Sequence, residues 1–406
     1  MKKFISVQAQ FRTAILFVIV ALILSNSFTF AQFKAHKEKT ISFLGLEEKS
    51  LNYYPTIHYN RVEGLYLGMG MKYGPSFLPA ITLLGEGGYG ISNEEWRYRA
   101  GILKDFFEFN KLKICAEAFY LTASLDDWYI GSSENSFAAL FLKEDFMNYF
   151  GKQGFKVFVN QILLDNQVQL RIEASNYDYF AMTRCTNWAI FGKNKNFKQN
   201  PAVFEGNETS LKLIASYDGR DNPLFPISGW TIDAIYEHTT GDSTTNGLFL
   251  TLKYFQSIYS LQRFRTKVMF GSRVGSMAEQ HTMDLGGLGT LPGFKDKEFQ
   301  NGNRFLLFNF QYLFGGELLS KLPLSFIPLY DALTLSVFAD IGWLNWEKEE
   351  NFSSFFGFDK IETNKLKTDV GLALSISEDM FLIKFAKRTD RSDDAWRIIG
   401  RLIYKF

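Results

Sequence analysis

The stretch Trp396-Arg-Ile-Ile-Gly-Arg-Leu-Ile-Tyr-Lys-Phe406 decides the fold. Trp396, Ile398, Gly400, Leu402, Tyr404 and Phe406 share one parity. Arg397, Ile399, Arg401, Ile403 and Lys405 share the other. Successive side chains of a strand point to opposite faces, so one face is greasy and the other largely basic. The same period recurs upstream. Val168, Leu170, Ile172 and Ala174 alternate with Gln167, Gln169, Arg171 and Glu173. Phe264, Val268, Phe270 and Val274 oppose Arg263, Arg265, Lys267 and Arg273. Trp230, Ile232, Ala234 and Tyr236 oppose Thr231, Asp233 and Glu237, and Leu335 to Trp343 repeats the pattern against Thr334, Ser336 and Asp340.

Segments of this length, repeated many times with aromatics near their ends, are the signature of an all-β transmembrane antiparallel barrel. Lipid demands a closed sheet, because an open edge leaves backbone groups unpaired in hydrocarbon. A secreted soluble β protein is the alternative. Candidate strands fall near 64–73, 78–89, 96–106, 112–122, 154–164, 167–180, 209–217, 229–238, 247–259, 263–276, 303–314, 333–343, 369–377, 380–388 and 396–406. Both termini on one side require an even number. The alternating stretch 53–60 supplies the sixteenth strand, with twelve or fourteen as fallbacks. Short connections such as 74–77, 107–111, 165–166 and 260–262 alternate with long ones such as 123–153, 181–208, 277–302 and 344–368. That is the barrel asymmetry of short periplasmic turns and longer outside loops. The connections 218–228 and 315–332 are longer than this rule expects.

The chain begins differently. Lys2, Lys3 and Arg12 precede an unbroken apolar run, Ala14 to Leu24, and Thr29 and Ala31 occupy the small-residue positions of a cleavage site. Residues 1–31 therefore read as a secretory signal, with an uncleaved anchor helix as the alternative. Residues 32–52 read as a periplasmic leader and 53–406 as one barrel domain.

Composition narrows the function. Over 406 residues, 44 basic against 43 acidic side chains argue against a nucleic-acid binder, which usually shows a basic excess. With 46% apolar and 21% charged residues, wholesale disorder is excluded. Two cysteines, Cys115 and Cys185, are too few for a disulfide framework, although one bridge between them is open in an oxidising compartment. Four histidines leave little for metal or acid–base chemistry. His238 beside Thr239 and Thr240 is the sole candidate for a hydrolase base, against the plainer reading of a loop or girdle histidine. No catalytic, cofactor or metal site is expected. Residues 134–150 read as an amphipathic helix in the longest outside loop, with Phe137, Leu140, Phe141 and Phe150 on one side. It either meets a partner or lipid, or caps its own barrel. The lumenal cations Arg171, Arg263, Arg265, Lys267, Arg273, Arg397, Arg401 and Lys405 favour anions, or pair with Glu173, Asp233, Glu237 and Asp340. Changing Arg401 to Gln is expected to be mild, whereas Arg at lipid-facing Ile398 or Leu402 blocks assembly.

Three motifs add a resemblance. Asp218-Gly-Arg220-Asp221-Asn222-Pro-Leu-Phe-Pro226-Ile-Ser-Gly229 resembles the turn of the bacterial surface-antigen superfamily, the BamA- and TamA-like outer-membrane barrels. Leu285-Gly-Gly-Leu-Gly-Thr-Leu-Pro292-Gly293-Phe294 is similar to that family's long loop, which folds back into the lumen. Phe338-Ala-Asp340-Ile-Gly342 resembles the strand motif on which the loop docks, and Phe406 matches the terminal aromatic. Tyr59-Asn-Arg-Val-Glu-Gly64 also resembles barrels of this kind from Bacteroidetes-like bacteria. The resemblance implies a Gram-negative outer-membrane location and a non-enzymatic role without cofactor. It also implies a weak seam between strands 53–60 and 396–406. Its implied partners are membrane lipid and unfolded outer-membrane or secreted protein clients, not nucleic acid, with the chain a monomer. Two departures stand out. Residues 32–52 hold no periplasmic POTRA domain. The family's loop arginine, which pairs with the strand aspartate, is Pro292 here, so Lys295, Arg265 or Arg273 would have to meet Asp340. A passive pore or surface-exposed binding barrel without assembly role is the alternative function. For Asp218, Asp221 and Asn222, Ca²⁺ ligation competes with capping of turn amides.

Overall fold

Sixteen strands pair with their neighbours in one antiparallel sheet, in sequence order, as the period-two reading predicts. The computed structural model describes residues 50–406 apart from 76, 79, 107–110, 224, 260–261, 315–332, 349–360, 377–378, 392 and 403–405. The expected signal 1–31, nearly all of the leader 32–52 and the connection 315–332 lie outside the described residues.

The first half comprises β1 (Ser50–Asn60), β2 (Gly64–Gly74), β3 (Ile81–Gly90), β4 (Glu95–Phe106), β5 (Leu112–Ser124), β6 (Tyr149–Leu163), β7 (Val168–Ala181) and β8 (Gly206–Asp218). Next come β9 (Gly229–Gly241), β10 (Thr244–Tyr259) and β11 (Gln262–Ser276). A small separate hairpin, β12 (Met283–Leu285) and β13 (Phe299–Gly302), lies within the long connection that follows. β14 (Arg304–Phe314), β15 (Leu333–Asn345), β16 (Lys367–Ile376), β17 (Phe381–Arg388) and β18 (Arg397–Leu402) complete the wall.

Side chains sort as a membrane barrel requires. Leu170, Ile172, Trp230, Ile232 and Ile341 are exposed on the outward face. Arg265, Lys267, Arg273, Asp340 and Arg401 point inward and are buried. No helix among the described residues is long and apolar enough to cross a membrane.

Three expectations need correction. β1 begins at Ser50, inside the expected leader. The loop helix is shorter than 134–150: α1 (Ser132–Phe137) runs into one π-helical turn, Ala138–Leu142, and stops at Lys143 in the left-handed conformation. Phe150 sits instead in β6, buried with Phe119, Tyr177 and Tyr179. Phe406 does not face lipid. Its ring lies 4.6 Å from the Arg265 guanidinium and against Phe255, among lumenal groups.

Candidate functional site

The long connection 277–303 folds into the barrel and docks on the wall. Gly286 and Gly287 both have positive φ, and a Cβ on either would collide with the Lys295–Asp296 backbone, so the loop closes tightly on itself. Leu285, Leu291 and Phe294 are fully buried and pack with Phe305 and Leu307 of β14. Gly342 supplies the room: a Cβ there would stand 2.8 Å from Leu285 and 3.1 Å from Leu291. Gly293 approaches so closely that a Cβ would meet Asp369 and the Arg388 backbone, and its N–H donates to Asp369 Oδ2 at 2.5 Å.

Asp340 stands directly opposite Asp369 in the β15–β16 ladder. Asn309 completes the dock, donating to Asp340 Oδ1 at 2.7 Å and to the Thr290 carbonyl at 3.2 Å. None of the three cations expected to meet Asp340 does so as an ion pair. Arg265 pairs with Asp379 at 2.6 Å, Arg273 pairs with Glu237 at 2.7 Å, and the Lys295 backbone N–H donates to Glu298. Lys384 and Lys267 supply the positive field at Asp340 instead. A loop-to-wall ion pair exists with its polarity reversed. Arg388 on β17 reaches loop Glu298 at 2.9 Å and lies 4.2 Å over the Phe294 ring. Burial acts upward on Glu298, but the Lys295 N–H and Arg388 outweigh it and hold its carboxyl below the usual range. Phe338 packs with Ala373, Leu382 and Ala386, and Gly371 leaves space for its ring.

The 218–229 motif forms the β8–β9 turn at the opposite end of the barrel. Arg220 forks onto Asp218 through Nε at 2.8 Å and a terminal nitrogen at 2.7 Å. Asp221 Oδ1 accepts from the N–H groups of Asn222, Ile227 and Ser228, which outweigh slight burial and hold its carboxyl low. Asn222 caps the Phe225 N–H at 3.2 Å, and Pro226 lies half-buried between them and Gly229. Gly229 has φ 115° and sits where a Cβ would strike the Gly219 carbonyl. These carboxylates serve the turn itself, and no cluster among the described residues fits a metal ion.

The long-loop end is closed by a third cluster that the sequence did not flag as a site. The β1–β2 turn is folded inward, with Arg61 fully buried. Arg61 pairs with Asp145 at 3.0 Å and donates to the Met147 carbonyl and Asn200. Asn60 caps the Val62 and Glu63 N–H groups, which explains the Asn-Arg-Val-Glu run. Lys297 bridges Asp126 at 2.7 Å and Asp284 at 3.2 Å, tying the two long loops together. Burial and then Asp126 push Asp127 up to about 6. Burial and then the Arg273 guanidinium push His281 down to about 3.

Arg401 of β18 is the centre of this cap. It donates to Glu134 Oε1 at 2.7 Å and Oε2 at 3.0 Å, to the Leu288 carbonyl at 3.2 Å, and to the Tyr129 carbonyl. The mild Arg401 substitution is expected for a loose lumenal charge, whereas the side chain is buried and bonded to Glu134, Leu288 and Tyr129. α1 caps its own barrel, with Glu134 and Asn135 buried. Among the described residues no ladder joins β1 to β18. A cavity of about 180 Å³ remains below the cap, lined by Lys253, Lys267, Asp233, Trp128 and Phe406 among others.

His238 has Asn246 Oδ1 at 2.9 Å rather than a nucleophile, and both cysteines are free. Sequence reasoning missed Asp369, Arg388, Glu134 and Arg61. A signal existed for Asp369: it is the lone acid on a lumenal row of small residues, Gly371, Ala373 and Ser375.

Residues 129–387 match the Omp85 superfamily domain, and residues 28–216 match the C-terminal domain of a family of unknown function, DUF5686. No curated protein matches the chain. The fold is similar to the crystal structure of BamA from Haemophilus ducreyi lacking POTRA domains 1–3. The TM-score is 0.58 at 13% identity, over 87% of this chain and 70% of that one. CdiB from Acinetobacter baumannii matches with a TM-score of 0.45 at 12% identity, over 86% of this chain and 59% of that one.

Proposed function

Because the chain belongs to the Omp85 superfamily and is an outer-membrane β-barrel of the BamA-like kind, we propose that it is a non-enzymatic insertion or translocation barrel for polypeptides. Its working surface is the edge between β1 and β18. The single observation that carries this reading is that edge. A sheet edge offers unpaired N–H and C=O groups that can template an added strand, and hydrocarbon makes leaving them unpaired costly. Here the Tyr59 and Leu402 N–H groups bond to side chains of α1 rather than to a neighbouring strand. Clients are unfolded outer-membrane or secreted chains, and the 218–229 turn and the loop dock keep the rest of the wall rigid while the edge opens.

The passive-pore reading is disfavoured by the filled lumen. A sixteen-stranded porin keeps an aqueous channel, whereas here the 277–303 loop, α1 and Phe406 pack side chains into the interior. Planar-bilayer recording of the purified barrel tests both readings. Small flickering conductance is expected. A large steady conductance would favour the pore and overturn the proposal.

A further inference from the structure

We infer that α1 is a clasp on the strand seam, holding both edge strands at once, and that it is displaced by an extended segment carrying a carboxylate. The inference rests on the seam reading above. The Tyr59 N–H of β1 donates to Ser136 Oγ at 2.9 Å, and the Leu402 N–H of β18 donates to Glu134 Oε1 at 2.8 Å. Glu134 and Ser136 are two residues apart on one short helix. Both N–H groups are taken by α1 side chains rather than by a strand carbonyl. Side-chain oxygens do the work that strand carbonyls would otherwise do.

The helix is poorly built to hold by itself. Six residues are far below the length at which an isolated helix is stable. Gly131 gives it no side-chain cap, and its last turn has no basic residue to meet the helix dipole. What keeps it seated is tertiary: the Glu134–Arg401 fork and the Ser136 bond at the seam, with Asn135 bonded to Asp145 and Tyr149 at its base. The base contacts belong to the Arg61 cluster and need not break. Releasing Glu134 and Ser136 frees the Tyr59 and Leu402 N–H groups.

The chemistry of Arg401 then defines the occupant. Once Glu134 leaves, the buried guanidinium loses the two oxygens that carboxylate gave it. Removing one partner of a buried ion pair is strongly unfavourable. A segment that brings carbonyl acceptors for Tyr59 and Leu402 and an acid for Arg401 replaces all that α1 provides. A segment with a neutral residue at that point does not.

The test uses the full chain folded in liposomes. In the double variant E134A/S136A, which removes both side-chain acceptors, hydrogen exchange at peptides covering Tyr59 and Leu402 is expected to rise about tenfold or more, while β10–β11 peptides do not change. Unchanged seam exchange, or a rise all around the barrel, overturns the clasp. If the double variant does not assemble, S136A alone should raise exchange at Tyr59 and not at Leu402. An equal response at both, or none, overturns it. Binding of synthetic extended peptides to the wild type tests the occupant. A glutamate-bearing peptide should bind at least about tenfold more tightly than its glutamine analogue, and equal binding overturns the anionic partner. Seam exchange that responds while polypeptide insertion never occurs leaves the clasp standing and removes the insertion reading. Insertion without a seam response removes the clasp alone.

Discussion

The β10–β11 wall and the β1–β18 seam are built on opposite terms. Fifteen residue pairs run along β10 and β11, with strand partners for nearly the whole of both. β17 and β18 share six, and β18 shares none with β1 among the described residues. The wall is held by a ladder whose backbone groups are satisfied by one another. The seam is held by side chains brought from residues 134–136, far away in sequence. A ladder bond resists opening because its neighbours must open too. A side-chain bond can be exchanged singly, so the barrel concentrates its weakness in one place.

That contrast can be broken most severely at Arg401. Replacing it with Gln leaves Glu134 buried without its cation, and the loss of folded stability is expected to be about 3–5 kcal/mol. Urea titration of the barrel, read by gel mobility without heating, measures it. A change within error of the wild type would mean that the cap does not hold the seam. Leu250 of β10 sharpens the wall side. It is exposed on the lipid face, and Leu250→Arg is expected to cost about 2–4 kcal/mol near the midplane. Thr251 next to it faces the lumen, so Thr251→Arg should cost clearly less, and equal losses would refute the register.

The loop dock comes next. Gly293→Ala forces a methyl into Asp369 and the Arg388 backbone, and overpacking of this kind costs about 1–3 kcal/mol. Limited proteolysis should then cut within 286–298 in the variant only. The smallest effect is on pH. His281 Nδ1 lies 3.3 Å from the Arg273 guanidinium, a pure donor, so the folded ring is neutral. Its folded pKa is about 3, below its unfolded value. Between roughly pH 6.5 and 3 the unfolded chain binds the proton and the folded one does not, so stability falls as pH falls through that window. Unfolding midpoints at pH 7 and 4.5 should differ less in His281→Gln than in the wild type.

How far the sequence spoke follows the same division. All sixteen wall strands were legible, because lipid outside and a polar lumen impose period two on every one of them. Glycines 293 and 342 were named through the resembling motifs alone, and the close approach of loop and wall that excludes a side chain there is visible only in the fold. Asp340 was correctly placed, but its partner was not. Pro292 removed the expected arginine, and the charge pair moved to Arg388 and Glu298, which no local pattern joins. α1 was seen as a helix but drawn too long, because Phe150 matched its spacing while belonging to β6. The seam contacts were invisible. Glu134 and Arg401 stand 267 positions apart, and each alone looks like a solvated charge.

The central claim is that the seam, not the wall, is where the barrel works. Cysteines at Glu134 and Arg401, whose side chains now meet, joined by a reducible bifunctional thiol reagent in a chain with Cys115 and Cys185 changed to Ser, would staple α1 to β18. A matched staple at Thr251 and Met269, directly opposite in β10–β11, serves as control. Reconstituted with an unfolded outer-membrane polypeptide, the seam-stapled protein should lose client insertion and regain it on reduction, while the wall-stapled protein inserts normally throughout. Insertion that persists with the seam staple closed, or fails equally in both, would contradict the claim.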